Sequence, residues 1–436
     1  MKNNYFSLVL LLCTALAFGQ NNDFTNGGGD FLWSNPANWS LGVVPNTTNS
    51  NPVRLISDVE SLVDTDITII KIQTTFGVAV NTPLAGSGTL TIDPNANAAY
   101  GIENVSNNNI SMIFKGNVTI DNSTTVSISN TLMRSANGSG NAIIFDSGSL
   151  LTLNTPLEAR NGSSSNFNFN GTLAGTGALR FSGSTISTFG STSDNTGHGG
   201  DLVWVGANAS VIVNSADNNV FLPVDRKIQI NATGGSIDVN GANVYQGNIS
   251  INGSNIFTFN ANNNQNSMGT ITFSGGSADG TLNLAIDNSV TNLSFADNSA
   301  TDWGTGTLNI TGFQEGEIRF GTDSNGLTPT QLSQITADNG GLALALDSSG
   351  FLFNAITLST NDLDANIQSV KAYPTVVSDN IYFTKPQNNV QIVGLSGNVI
   401  LSKQLDNQSE VAVDFLAPGF YFVVFENNKV QKFIKQ

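Results

Sequence analysis

NAIIFDSGSLLTL, residues 141–153, and NFNFNGTLAGTGALRFSG, residues 166–183, decide how this chain folds. Each alternates apolar and polar residues, the period of a strand with one buried face, and Asp, Ser, Asn and Gly clusters stop each run within a few residues. The same texture recurs in GTLTIDP (88–94), ASVIVNS (209–215), KIQINATGGSIDVNG (227–241) and GNISINGSNIFTFNAN (247–262). Strands about 8–12 residues apart suit either a sandwich or a solenoid. Length separates the two: nearly three hundred residues of one texture, without a helical block, exceed a single sandwich, whereas a solenoid only adds coils. The expected fold is all-β, a right-handed parallel β-helix (β-solenoid) followed by a small antiparallel β-sandwich. Roughly 20–25 residues per coil and about 4.8 Å between strands give a body about 55–70 Å long. Phe167, Phe169, Phe257, Phe259, Phe273 and Phe295 are expected inside, with neighbouring Asn and Thr outside or in amide ladders at the turns.

Composition agrees with a turn-rich β protein. Of 436 residues only 11% are charged and 44 are glycine. A disordered chain would be charge-rich and poor in β-branched and aromatic side chains, which recur here throughout. The formal net charge of −16 sets the surface against phosphate backbones, so nucleic acid is not an expected partner. The one cysteine, Cys13, lies in MKNNYFSLVLLLCTALAFGQ (1–20), where Lys2 precedes an apolar run over about residues 6–17. That run is short for a membrane span and reads as a signal peptide over residues 1–19, with Ala17, Gly19 and Gln20 forming the cleavage region. No other stretch reaches transmembrane length. The mature chain then has no thiol and no disulfide.

FLWSNPANWSLGVVPN (31–46) opens the body, and its Trp33, Asn38, Trp39, Ser40, Gly42 and Pro45 resemble the opening module of large bacterial surface proteins with β-helical passengers, autotransporter-type ones included. Two tryptophans here would plug the exposed apolar end of a solenoid. At the far end, in TPTQLSQI (328–335), Thr328 is a helix N-cap, Pro329 the first helical residue and Gln331 the partner in a capping box. Leu332 and Ile335 then share one face, so a short helix closes the second end. The expected organisation is a signal peptide (1–19), a passenger (20–358) with caps at about 27–50 and 301–353, a linker (359–369) and a tail domain (370–436).

The tail holds six of the sixteen basic residues and divides into short strands. Ser396-Gly397-Asn398 suits one hairpin, Asn427-Asn428 a second, and Pro418-Gly419 the corner before it. Tyr373-Pro374, NVQIVGLSGNVI (389–400), FLAPGFYFVVF (415–425) and KVQKFIKQ (429–436) follow one another in the order that resembles the type A C-terminal sorting domain of type IX secretion cargo in Bacteroidetes. The motif residues are Tyr373, Pro374, Gly397, Pro418, Gly419, Tyr421, Lys429, Lys432 and Lys435. Thr375-Val376 departs from the Asn-Pro usual in that family, which leaves the opening turn in doubt. The resemblance implies export by the amino-terminal signal, transfer by the outer-membrane secretion machinery, and a secreted or surface-attached product.

Chemistry is sparse. A lyase on a β-helix needs a Lys or Arg base, and a hydrolase needs paired carboxylates. The body's nine basic residues look scattered apart from Arg226-Lys227. Asp58/Glu60, Asp64/Asp66 and Glu315/Glu317 have the i, i+2 spacing that puts two carboxylates on one strand face, but no basic cluster joins them. His198 has no second histidine or cysteine with which to hold a metal, and reads as a loop residue. No catalytic, cofactor or metal site is assigned. The expected function is that of a non-enzymatic, adhesin-like or matrix protein whose partners are glycans or cell surfaces. The alternative is a secreted polysaccharide-active enzyme using one acidic pair.

Overall fold

The computed structural model describes the chain except for residues 1–19, 50–51, 57–58, 76–80, 95–99, 122–130, 136–139, 162–165, 275–279, 339–342, 356–369 and 427–428. The proposed leader with Ala17 and Gly19, the 359–369 linker and the Asn427-Asn428 turn therefore lie outside the described residues. Two compact units are present, Met1–Ile356 and Thr357–Gln436.

The first unit is a parallel β-solenoid with three faces. One sheet of 11 strands and one of 12 run along it, both parallel throughout; the third face has 5 strands and, further on, 3 more. Strands of one coil pair in register with those of the next. Phe145 lies between Phe114 and Phe169, and Phe169 is followed by Phe189, Val213, Val239 and Ala261 in a single inward row. Alternation fixes which residues enter: in Ala142–Phe145, Asn166–Phe169 and Ser210–Val213 the second and fourth positions are buried. All six phenylalanines expected inside are buried. Stacking repeats at the coil spacing, with ring centroids 5.0 Å apart for Phe114–Phe145, 5.6 Å for Phe145–Phe169 and 4.9 Å for Phe169–Phe189, all nearly parallel. Each such pair adds roughly 0.5–1.5 kcal/mol beyond the area it buries.

Coil length is irregular. Val53 pairs with Ile72, 19 residues on, whereas Asn22 pairs with Val53, 31 residues on. The variation sits in the corners, where an extra loop costs little as long as the next strand resumes its register. The 12-stranded sheet alone has eleven spacings, an axial rise of about 53 Å, and the first strand of the 11-stranded sheet lies one coil before it, so the stack is about 58 Å long, within the expected range. Between Thr172–Gly175 and Gln265–Met268 the third face loses its strands and keeps isolated bridges, Thr172 to Asp194, Gly175 to His198 and Leu222 to Tyr245.

Both caps have a local explanation. Trp33 and Trp39 are buried edge-to-face, centroids 5.0 Å apart, and Trp39 Nε1 donates to the Trp33 carbonyl at 2.8 Å. Buried Asn38 accepts from the Gly28 amide at 2.8 Å and donates to the Leu32 carbonyl at 2.8 Å, so its side chain replaces backbone pairing at the end of the stack. At the other end the helix Pro329–Ser333 has the capping box read from sequence. Gln331 N–H donates to Thr328 Oγ1 at 3.2 Å, and Thr328 N–H to Gln331 Oε1 at 2.8 Å. Gln331 Nε2 also donates to the carbonyls of Asn298 and Thr301, tying the helix to the coil beneath it.

The second unit has six strands around its own core of Ile381, Phe383, Val390, Ile392, Val423, Phe425 and neighbours. They form one connected sheet. The long strand Asn380–Gly394 pairs with Val399–Ala412, with Ala372–Tyr373 at its start and with Gly419–Phe425 at its end. Pairing is antiparallel except where Val376–Val377 runs parallel to the closing strand Val430–Lys435.

Replacing Phe145, the middle of the stacked row, with alanine is expected to destabilise the solenoid by about 3–5 kcal/mol. Phe145→Ala and Ile144→Ala, the latter on the outward side of the same strand, can be compared by urea denaturation; equal losses would contradict the packing described.

Candidate functional site

The three faces carry different chemistry. Along the 11-stranded sheet the strands contain Asp23, Arg54, Glu103, Arg134, Glu158, Arg160, Arg180 and Lys227, whereas the strands of the 12-stranded sheet contain a single charged residue, Asp238. In sequence these charges look isolated. Register brings them together: Asp23, Arg54, Gln73, Glu103, Arg134 and Arg160 occupy successive rungs of one row. Arg54 grips Asp23 with two hydrogen bonds of 2.6 and 2.7 Å, and Glu103, nearly buried, pairs with both Lys71 and Arg134. Arg54, Lys71 and Arg134 thus neutralise acids on this face.

The acidic pairs have structural partners. Asp64 accepts from the Ser34 amide and hydroxyl at 3.0 and 2.5 Å, which, against its partial burial, holds its carboxyl below the usual range. Asp66 accepts from the Thr89 amide at 2.8 Å, and Glu60 pairs with Lys115; Asp58 lies outside the described residues. Glu317 is buried and accepts from the Gln314 amide at 2.7 Å, and burial first, with Asp338 nearby, raises its carboxyl. Glu315 accepts from the Asn354 amide at 3.1 Å. Among the described residues no group of three or more His, Cys, Asp or Glu side chains could hold a metal ion.

Corner polar residues form ladders. Asn262 donates to Asn240 at 2.7 Å and Asn240 to Asn214 at 2.7 Å, each one coil below. Between the second and third faces, earlier along the same edge, an open cleft of about 550 Å³ is lined by residues that include Asp146, Asn168, Asn170, Thr188, Thr192 and Asn214. Sequence reading missed this cleft, because its lining comes from four coils and no single stretch stands out.

His198 lies outside the strands, as expected of a loop residue, but it is buried. It lies at the isolated bridge to Gly175 on the strand-poor part of the third face and is only 4% exposed, with no hydrogen-bond partner at either ring nitrogen among the described residues. Burial lowers its pKa from 6.5 to about 4; Arg226 acts in the same direction, while Asp201 and the backbone at Ala174 and Gly175 oppose. The unfolded chain therefore binds the extra proton between about pH 6.5 and 4, and stability falls as pH falls through that window. Between pH 7 and 4.5 this group is expected to remove about 2 kcal/mol. Unfolding free energies from urea titrations of wild type and His198→Leu should change relative to each other by that amount between pH 7 and pH 4.5; parallel pH profiles would contradict it.

In the carboxy-terminal unit the motif residues occupy turns and strand ends. Gly397, at φ +80°, turns the hairpin between Asn380–Gly394 and Val399–Ala412. Pro418 precedes and Gly419 begins the strand Gly419–Phe425, where Tyr421 Oη donates back to the Ala417 carbonyl at 2.9 Å. Tyr373, joined to Pro374 by a cis peptide, is half exposed with its ring 5.9 Å from that of Tyr382. Thr375, where the family usually has Asn, still anchors the opening turn, its carbonyl accepting from Ile434 N–H at 2.8 Å. The three lysines do not form one patch. A spacing of three on a period-two strand sends Lys432 and Lys435 to opposite sides. Lys432 is exposed over the Phe420 ring at 4.1 Å, and Lys435 is buried. Gln431 had no signal in the sequence, yet its amide makes two hydrogen bonds to the Ala372 backbone, at 2.8 and 2.7 Å, closing the first strand against the last.

No helix among the described residues is long and apolar enough to cross a membrane. Neither the curated proteins nor the solved structures gave a match to the chain. Residues 371–436 match the family of the secretion system C-terminal sorting domain. The second unit is thus similar to a sorting domain that a secretion machinery recognises, a match that supports a type IX secretion cargo carrying a β-solenoid passenger.

Proposed function

We propose that the solenoid is a non-enzymatic, adhesin-like scaffold that reaches the outer cell surface or the medium and contacts carbohydrate through its neutral face. Residues 1–19 serve as the first export signal, and residues 359–369 join passenger to tail. The observation that carries this reading is the 12-stranded sheet, whose strands contain one charged residue, Asp238. Its outward positions repeat Ser, Thr and Asn one coil apart: Ser210, Ser236, Thr258, Asn283 and Asn309 share a row. Some rungs hydrogen-bond to each other, as Ser236 does to Ser210 at 3.2 Å and Asn309 to Asn283 at 3.2 Å. Neutral donors and acceptors at a fixed spacing suit a polyhydroxyl chain met by many weak contacts rather than one tight site.

The enzyme alternative has less support, since its acidic pairs hold turns and caps, and the cleft contains one carboxylate, Asp146, where glycoside hydrolysis ordinarily uses two. The whole chain is expected to retain oligosaccharides on a glycan array without shortening them. Depolymerisation that disappears on changing a single Asp or Glu would overturn the proposal. In a type IX-competent host, a chain ending at Ile356 is expected to accumulate in the periplasm, and normal release of it would show that the tail is not what the machinery reads.

A further inference from the structure

We infer that the open cleft is a neutral-sugar subsite created by one missing rung in the corner ladder, an assignment that rests on the carbohydrate reading above and gives it a location. The row is defined by backbone geometry. Asp146, Asn170, Gly190, Asn214, Asn240 and Asn262 each donate their amide to a carbonyl of the coil below, namely those of Phe114, Phe145, Phe169, Phe189, Val213 and Val239. These six residues are therefore equivalent positions in successive coils. From Asn214 onward the side chains satisfy one another, Asn262 to Asn240 to Asn214. At Gly190 the row has no side chain and the chain of amides stops. Asn170 turns toward the vacant position, where a Cβ on Gly190 would meet its Oδ1 at 2.1 Å.

The cleft of about 550 Å³ surrounds this gap, a volume within the range of small-molecule sites. Asn170 and Asn214 stand two rungs apart, about 9.6 Å along the axis, and both line the cleft. Asp146, Asn168, Asn170 and Thr188 make no side-chain hydrogen bond to the described residues, while Thr192 donates to the Asn170 carbonyl at 2.7 Å. The free groups comprise both donors and acceptors. A ring of hydroxyls offers both in return and can replace the hydrogen bonds that Gly190 removed.

Other ligand classes fit less well. A phosphate, sulfate or uronate would meet the Asp146 carboxylate with no lining cation, since Lys115, one rung before Asp146, is paired with Glu60. A divalent cation would find one carboxylate where several are usual. An apolar ligand would find no aromatic or aliphatic side chain in the lining.

Gly190→Asn tests the assignment, because it supplies the absent amide. Gly190 does not have a positive φ, and the clash is with the movable end of Asn170, so the variant is expected to fold with an unchanged or higher thermal midpoint. The whole chain is first screened on an array of neutral, sulfated and uronic-acid oligosaccharides, and the strongest neutral one is titrated by calorimetry against wild type, Gly190→Asn and Asn170→Ala. At least a tenfold loss of affinity in both variants, with folding retained, is the expected result. Undiminished affinity in both would overturn the subsite while leaving the carbohydrate reading in place, with binding elsewhere on the solenoid. Binding of acidic glycans alone would overturn the subsite's assignment to neutral sugar, and an array with no retained glycan would overturn the carbohydrate reading and the subsite with it.

Discussion

A single coil of this chain cannot bury its own apolar side chains. It has at most three short strands and no second layer, so along the axis its inward residues are covered only by the coil before and the coil after. In-register parallel stacking is therefore the constraint on which the rest depends. It explains why like sits on like, with Phe114, Phe145, Phe169 and Phe189 in one column and Val211, Ile237, Phe259 and Leu284 in another. It also explains why both ends need dedicated covers. Trp33 and Trp39 close one, and the helix Pro329–Ser333 with its buried Gln331 closes the other.

The same constraint organises the surface. A residue placed at a given position of a coil acquires a neighbour about 4.8 Å away in the next, so polar identity accumulates into rows. Opposite charges on one face become the Asp23–Arg54 and Lys71–Glu103–Arg134 groups. Amides at a corner become a ladder, and a lone glycine in that corner becomes a gap. Function on such a body is expected in the pattern of rungs and their interruptions, not in a catalytic cluster of the kind a compact enzyme assembles. The tail obeys other rules: it has its own core and closes on itself through Gln431 and the parallel pairing of Val376 with Ile434. A separate unit of this kind can be recognised whatever passenger precedes it.

Much of the architecture was legible because strand alternation and capping are local. The inward phenylalanines, the Thr328 capping box and the hairpin at Gly397 each rest on a handful of consecutive residues. What was not legible depends on which residue of one coil meets which residue of the next, and corner loops of varying length hide that register. Arg54, Glu103 and Arg134 appear scattered for this reason although they stand in one row. Gly190 looks like any other turn glycine until Asn170 and Asn214 are placed on either side of it. The burial of His198 was not legible for a related reason: it lies outside the strands, where sequence alternation gives no sign of which side faces inward.

Distances between labels along one outward row test the stacking most directly. Ile144, Asn168, Thr188, Ile212, Asp238, Asn260 and Ala285 occupy consecutive rungs of the 12-stranded sheet. With Cys13 replaced, cysteine pairs carrying spin labels at Ile144 and Ala285 should give a narrow electron–electron distance near 29 Å, six rungs of about 4.8 Å. Pairs with fewer intervening coils should shorten by about 4.8 Å per coil. A separation that does not scale with the number of coils would contradict the solenoid and everything derived from its rows.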